Sequence, residues 1–182
     1  PIPALTLGAD VNMVWHTNGS KPWQQRRHYP RLGLAVATVD YGMASVYGTV
    51  YGIYPNITLP LMNGNPEWTV RIGNGIGYVT NKYSRTGVVN TVNVAIGASV
   101  NDFIMLRTDA RYRINPHWSV NGGLFVSHIS NGSVRKPNLG INVVGAGLGV
   151  SYYPVTSVPA RIARPLPALS NRWLVQARYS MS

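Results

Sequence analysis

The sequence predicts an all-β protein: an eight-stranded antiparallel transmembrane β-barrel over residues 1–153, followed by a proline-rich C-terminal extension over residues 154–182. Three observations favour this fold. Apolar residues alternate with small or polar residues in eight separate segments, and this period of two is typical of strands with two different faces. No apolar run reaches the roughly 20 residues of a membrane-spanning helix. Only 12% of the residues are charged, against about 25% in an ordinary soluble domain.

The first half of the chain contains four alternating segments. They cover residues 5–15, 32–40, 47–61 and 68–78. The third segment is the weakest strand prediction, because Pro55 and Pro60 cannot donate to a sheet ladder. In the fourth, Trp68 and Ile72 share one face and Arg71 and the glycines share the other.

The second half contains four more segments. They cover residues 91–100, 104–114, 118–130 and 142–152. In the sixth segment of the chain, charged residues share the face opposite the large apolar ones: Arg107, Asp109, Arg111 and Arg113. This arrangement predicts ion pairs inside a narrow polar lumen, with the apolar face against lipid. Aromatic residues near strand ends fit the girdles of outer-membrane barrels: Trp15, Trp68, Tyr78, Tyr112, Trp118 and Tyr152. A soluble β-barrel is the alternative.

The tail differs from the rest of the chain in composition. Pro154, Pro159, Pro165 and Pro167 predict a stiff extended linker. Residues 173–179 then alternate again, which indicates a possible additional strand.

Charge restricts the partners. The formal charge is +11, from 16 Lys and Arg against five Asp and Glu, so an anionic partner is expected: nucleic acid, a membrane surface or a phosphorylated lipid. Nucleic acid is disfavoured, because a basic nucleic-acid binder usually has more charged residues than the 12% found here and clusters them. Cysteine is absent, which excludes disulfides and a cysteine nucleophile. No His, Asp and Glu spacing suggests a metal site, so neither metal nor cofactor is expected.

Loop lengths predict the orientation of the barrel. Outer-membrane barrels have short periplasmic turns and longer outer loops, so the long basic loop 17–31 is expected on the outer side. Its Lys21, Arg26, Arg27 and Arg31 are predicted to bind phosphate groups of a phosphorylated lipid, since arginine forks match phosphate oxygens. A generic basic rim is the alternative. With eight strands, the seventh then ends in the outer leaflet.

His128 and Ser130 lie at that end of the seventh segment and project from the same face, because they are two residues apart on a strand. A histidine beside a hydroxyl can activate an oxygen nucleophile. The alternative is that both simply occupy the polar headgroup zone of the bilayer.

A longer motif surrounds this pair. His128-Ile129-Ser130-Asn131, followed by Lys136-Pro137-Asn138 and Gly140-Ile141-Asn142, resembles the signature of the PagL-type lipid A 3-O-deacylases. The resemblance implies an outer-membrane barrel, an ester hydrolase that removes the 3-hydroxyacyl chain at position 3 of lipid A. Its site is expected on the lipid-facing wall, in the outer leaflet.

The resemblance also implies roles for four residues. Ser130 is the expected nucleophile, His128 the general base and Asn131 the donor to the oxyanion. The third catalytic position falls on Asn142, where the family pattern has glutamate. An amide can orient the imidazole but cannot neutralise it. The rival hypothesis is therefore a barrel with lost or altered catalysis that serves as a lipopolysaccharide-binding or structural membrane protein. A soluble lipocalin-like carrier is a third.

Overall fold

A computed structural model describes residues 5–166 as a single antiparallel sheet with two short helices. Its elements are β1 (Leu7–His16), α1 (Pro22–Arg26), β2 (Arg31–Asp40), α2 (Ala44–Tyr47), β3 (Thr49–Met62), β4 (Glu67–Val79), β5 (Val100–Arg113), β6 (Trp118–Ser130) and β7 (Ile141–Tyr152). Each strand pairs with the next along the chain, in the order β1 to β7. The sheet forms a half-barrel, which confirms the all-β antiparallel prediction.

The strand predicted over residues 91–100 is wrong, so the described chain has seven strands rather than eight. This stretch is a folded loop organised by the buried side chain of Asn93. The Asn93 amide donates to the Val46 and Asn81 carbonyls, and its oxygen accepts from the Ala95 and Ile96 amides. The side chain supplies hydrogen bonds that a sheet ladder would otherwise provide. The additional strand predicted over 173–179 lies outside the described residues.

The sheet has two ends, which we name by their loops. The upper rim contains the connections 41–48, 80–99 and 131–140. The lower rim contains the connections 17–30, 63–66 and 114–117. β3 is among the longest strands despite its prolines, with a register shift between Pro60 and Met62.

The predicted outward face is confirmed in β2 and in β4 to β7, where most even positions are exposed. Its large apolar side chains include Leu34, Val36, Ile72, Ile76, Ile104, Leu106, Leu124, Val126, Val144 and Leu148. Burying apolar side chains is the dominant favourable term in folding. An exposed apolar band of this size marks a surface that contacts a protein partner or a membrane.

The inward face is apolar near the upper rim. Tyr54, Phe103 and Ile129 are fully buried there. The glycines on the facing strand leave room for them: a Cβ at Gly77 would lie 2.9 Å from Ile129 Cδ1. The predicted polar lumen is therefore wrong for this half of the interior.

The inward face is ionic near the lower rim. Glu67 binds Arg31 and Arg111 at 2.9 and 3.1 Å. A second group lies about halfway along the strands, where Arg71 binds Asp10 at 2.9 Å and Arg107 binds Asp109 at 2.8 Å. The predicted internal ion pairs of Arg107, Asp109 and Arg111 are thus confirmed. The placement of Arg113 among them is wrong: within residues 5–166 it forms no ion pair, and its guanidinium lies 4.4 Å from the centre of the Tyr153 ring.

The start of the proline-rich extension packs on the lower rim. The Ile162 amide donates to the Asn18 carbonyl at 2.8 Å, and the Arg164 amide donates to Gln25 Oε1 at 3.2 Å. These bonds attach the extension to the β1–β2 loop. Neither α1 nor α2 has the length and apolar character of a membrane-crossing helix, and the described residues contain no other candidate.

Candidate active site

The candidate nucleophile and base lie at the upper end of β6, on its outward face. His128 and Ser130 flank Ile129, whose side chain points into the apolar interior and is fully buried. Because side chains alternate along a strand, burial of Ile129 holds both neighbours on the opposite side of the sheet. The His128 Nε2 and Ser130 Oγ atoms are 2.9 Å apart.

Asn142 on β7 is the direct cross-strand partner of His128. Its Oδ1 lies 2.8 Å from His128 Nδ1. With an amide oxygen accepting from Nδ1–H, the lone pair remains on Nε2 and accepts the Ser130 hydroxyl proton. The three side chains therefore form a continuous hydrogen-bonded chain from acceptor to base to nucleophile.

The groups that hydrogen-bond to the His128 ring are neutral. Within residues 5–166, His128 forms no ion pair, and both of its ring partners are uncharged groups. Asn142 can fix the orientation of the imidazole and its tautomer. It has no charge with which to stabilise an imidazolium, which distinguishes the site from a triad with a carboxylate.

Asn131 follows the nucleophile and organises the upper-rim loop 131–140. Its Nδ2 donates to the Arg135 carbonyl at 2.9 Å, and its Oδ1 accepts from the Arg135 amide at 3.4 Å. The Asn131 backbone amide donates to Asn138 Oδ1 at 2.9 Å. One amide hydrogen of the side chain is used by the loop, so one remains to serve an oxyanion.

Gly140 lies against the nucleophile and the base, a role that the sequence reasoning missed. A Cβ at this position would lie 3.0 Å from His128 Cε1 and 3.3 Å from Ser130 Cβ, and its φ is +71°. The Gly140 amide also donates to the Ala95 carbonyl at 3.1 Å. The loop 80–99 thus holds Gly140 over the pair. The positive φ and the lack of a side chain both suit glycine at this point.

The predicted phosphate-binding residues do not lie near this site. Lys21, Arg26 and Arg27 are in the 17–30 connection at the lower rim, whereas Ser130 is at the upper rim. The expected orientation counted residues 91–100 as a strand. Without that strand, every connection after it lies at the opposite rim from the one predicted. β2 has 10 residues, and at about 3.3 Å per residue it separates the rims by roughly 30 Å along the strand.

Arg31, the fourth residue of that group, is not available to a ligand at the rim. Its side chain is 10% exposed and pairs with Glu67 inside the half-barrel. The predicted substrate contact is replaced by an internal ion pair.

Asp102 is not among the site residues predicted from the sequence. In the structure it lies on the outward face of β5 and is the direct cross-strand partner of Ser130. The sequence indicates this placement through the even position of Asp102, which it shares with the outward-facing Ile104 and Leu106. Among residues 5–166, no group of three or more His, Asp or Glu side chains is placed to hold a metal ion.

Comparison with known proteins identifies the family. The family described as Lipid A 3-O-deacylase (PagL) matches residues 7–151, a range that includes His128, Ser130 and Asn142. Neither the curated proteins nor the solved structures gave a significant match. The family match spans most of the 182 residues. The chain therefore belongs to the lipid A 3-O-deacylase (PagL) family.

Proposed function

We propose that this protein is an outer-membrane esterase that hydrolyses the 3-O-linked hydroxyacyl ester of lipid A, with Ser130 as the nucleophile. Its family is one of outer-membrane proteins that act on lipid A. The observation that supports the mechanism is the hydrogen-bonded chain from Asn142 through His128 to Ser130, with contacts of 2.8 and 2.9 Å.

The reaction begins at the Ser130 hydroxyl. As Ser130 Oγ bonds to the ester carbonyl carbon, its proton moves to His128 Nε2, and the carbonyl oxygen becomes an oxyanion. The remaining amide hydrogen of Asn131 donates to that oxygen. When the intermediate collapses, the bond to the lipid A oxygen breaks and His128 returns the proton to the departing alcohol.

The second half of the reaction releases the acid. His128 takes a proton from water as the water oxygen bonds to the acyl carbon. The bond to Ser130 Oγ then breaks, and the serine recovers its proton from His128. The products are a free 3-hydroxy fatty acid and lipid A with one acyl chain fewer.

The outward face supports contact with a bilayer. The large apolar side chains form a band, and aromatic residues are exposed on the lower half of the sheet: Trp15, Trp68, Tyr112, Trp118 and Tyr152. An apolar band bordered by aromatic residues is typical of outer-membrane barrels. His128 and Ser130 share this face, so they would meet a substrate that lies in the membrane.

The connections support an orientation with the upper rim outside the cell. Two of the three lower-rim connections, 63–66 and 114–117, have four residues each, whereas 80–99 and 131–140 at the upper rim are much longer. Short turns are typical of the periplasmic side and long loops of the outer side. Ser130 would then lie at the depth of the outer leaflet, where lipid A resides.

Two basic residues beside the site replace the lower-rim residues as candidates for contact with lipid A phosphates. Arg135 and Lys136 are exposed in the 131–140 loop that follows Ser130. A guanidinium or ammonium at the headgroup level pairs with phosphate oxygens.

The experiment is to incubate the purified protein with lipid A in detergent and to measure the masses of the products by mass spectrometry. The proposal predicts loss of one 3-hydroxyacyl chain with the wild-type protein and none with Ser130→Ala. Intact lipid A after exhaustive incubation with the folded wild-type protein would overturn it.

A non-catalytic lipopolysaccharide-binding or structural barrel is the second candidate, and one observation favours it. The His128 ring contacts the neutral amide of Asn142 and not a carboxylate. Under this hypothesis, lipid A binds to the protein but is recovered unchanged, and Asn142→Glu does not create deacylation.

A further inference from the structure

Asp102 on β5 lies directly across from the candidate nucleophile on β6, and both residues are on the outward face. In the β5–β6 register Asp102 is opposite Ser130, and Ile104 is opposite His128. Directly opposed side chains on one face have Cβ atoms about 4.5–5.5 Å apart. An ester positioned at Ser130 therefore has the imidazole on the nucleophile's own strand and Asp102 on the neighbouring strand β5.

The charge of Asp102 has no cationic partner within residues 5–166. One carboxylate oxygen accepts from Asn74 Nδ2 at 2.8 Å. The acids inside the half-barrel differ, because Asp10, Glu67 and Asp109 each bind an arginine within 2.9 Å. The second oxygen of Asp102 is thus left to a donor that the described chain does not supply.

A bare carboxylate next to Ser130 would oppose ester hydrolysis. Negative charge develops on the substrate carbonyl oxygen, and a nearby anion raises the energy of that state. A donor on the substrate removes the conflict by engaging the carboxylate. A hydroxyl group that donates to a carboxylate forms a short, charge-assisted hydrogen bond, roughly twice as strong as one between neutral groups.

We propose that Asp102 is a specificity-determining residue that accepts a hydrogen bond from the 3-hydroxyl group of the acyl chain under cleavage. The inference rests on the proposed function, whose substrate bears this hydroxyl two carbons from the reacting carbonyl. Asp102 selects by attraction and by repulsion. It binds chains with the hydroxyl and opposes reaction of chains without it.

The experiment uses two esters of one alcohol, the first with 3-hydroxydecanoic acid and the second with decanoic acid, presented in the same micelles. The kcat/KM ratio of the two esters is measured for the wild-type protein and for Asp102→Asn, which removes the charge and keeps the shape. Asp102→Ser is a second variant. Asp40→Asn is the matched control, since Asp40 is also an exposed acid at the upper rim.

The wild-type protein is expected to prefer the hydroxylated ester by about 10- to 100-fold, the range for a hydrogen bond to a charged group. Asp102→Asn and Asp102→Ser should bring the ratio close to one and raise kcat/KM for the unsubstituted ester, whereas Asp40→Asn should keep the wild-type ratio. Equal wild-type rates on both esters, or an unchanged ratio in the folded Asp102 variants, would overturn the role of Asp102 while the proposed function stands. A wild-type protein that cleaves neither these esters nor lipid A overturns both.

Discussion

The Oδ1 atom of Asn142 lies 2.8 Å from Nδ1 of His128, across the β6–β7 pair. The distance is that of a good hydrogen bond, so the position that holds the base in place is filled. What the amide does not supply is a negative charge for the imidazolium that forms when Ser130 loses its proton. Orientation and charge stabilisation, which one carboxylate usually provides together, are thus separated in this site.

Replacing Asn142 with glutamate should raise kcat for lipid A deacylation. The carboxylate keeps the hydrogen bond to Nδ1–H and adds the missing charge; in one serine protease an aspartate-to-asparagine change at the corresponding position costs about 10⁴-fold in turnover. The measurement is the initial rate of 3-hydroxy acid release at saturating lipid A. Asn142→Leu is the control: it removes the acceptor and should lower kcat below the wild-type value. A glutamate variant that is folded but no faster would contradict this account of Asn142.

Gly140→Ala should lower kcat, because the new methyl group meets the base and the nucleophile. A Cβ at Gly140 would be 3.0 Å from His128 Cε1, and a displacement of about 1 Å at a reacting group can cost 10²-fold in rate. Gly132→Ala is a matched control. Gly132 has a similar positive φ of +61° but nothing within 4 Å of its Cβ position.

The two glycine variants share the backbone strain and differ only in contact. Both should lose roughly 1–2 kcal/mol of stability from a left-handed non-glycine residue, measured by denaturant unfolding in detergent. Only Gly140→Ala should lose activity per folded molecule. Equal losses of activity in both would mean that loop strain, and not contact with His128, controls the rate.

Glu67→Gln should destabilise the fold without changing the site. Glu67 binds both Arg31 and Arg111 inside the lower half of the sheet. Removing one partner from a buried ion pair leaves uncompensated charge and costs about 3–5 kcal/mol. The free energy of unfolding is measured with urea in detergent, and kcat is measured on the folded fraction. A stability within 0.5 kcal/mol of wild type, roughly the size of a surface substitution, would contradict the structural role of Glu67.

The period-two pattern predicted most of the sheet because each face meets a different environment. The pattern fails at residues 91–100. Val92 and Val94 are exposed and alternate as in a strand, but the buried Asn93 side chain hydrogen-bonds to the backbone and folds the segment into a loop. Turns of this kind depend on distant carbonyls such as that of Val46. The sequence of one alternating segment does not indicate a hydrogen-bond partner so distant along the chain.

The site was predictable where it depends on one strand. His128 and Ser130 share a face by spacing alone, and the motif indicated Asn142. The position of Asp102 required the β5–β6 register, which no local pattern specifies. The basic loop 17–31 was predicted at the same rim as Ser130 because the strand count was one too high. Without the extra strand, every later connection lies at the other rim.

Neutralising basic residues at the two rims should separate their roles in substrate binding. Replacing Arg135 and Lys136 with glutamine should raise KM for lipid A, because these exposed residues lie in the loop that follows Ser130. Each exposed charge pair is worth up to about 1 kcal/mol, or roughly fivefold in affinity. Replacing Lys21 and Arg27 with glutamine removes the same charge from the lower rim and should leave KM unchanged. The comparison is made at low and high salt, since screening should shrink the effect of the upper-rim variant. A larger rise in KM from the lower-rim variant would reverse the orientation proposed for the protein in the membrane.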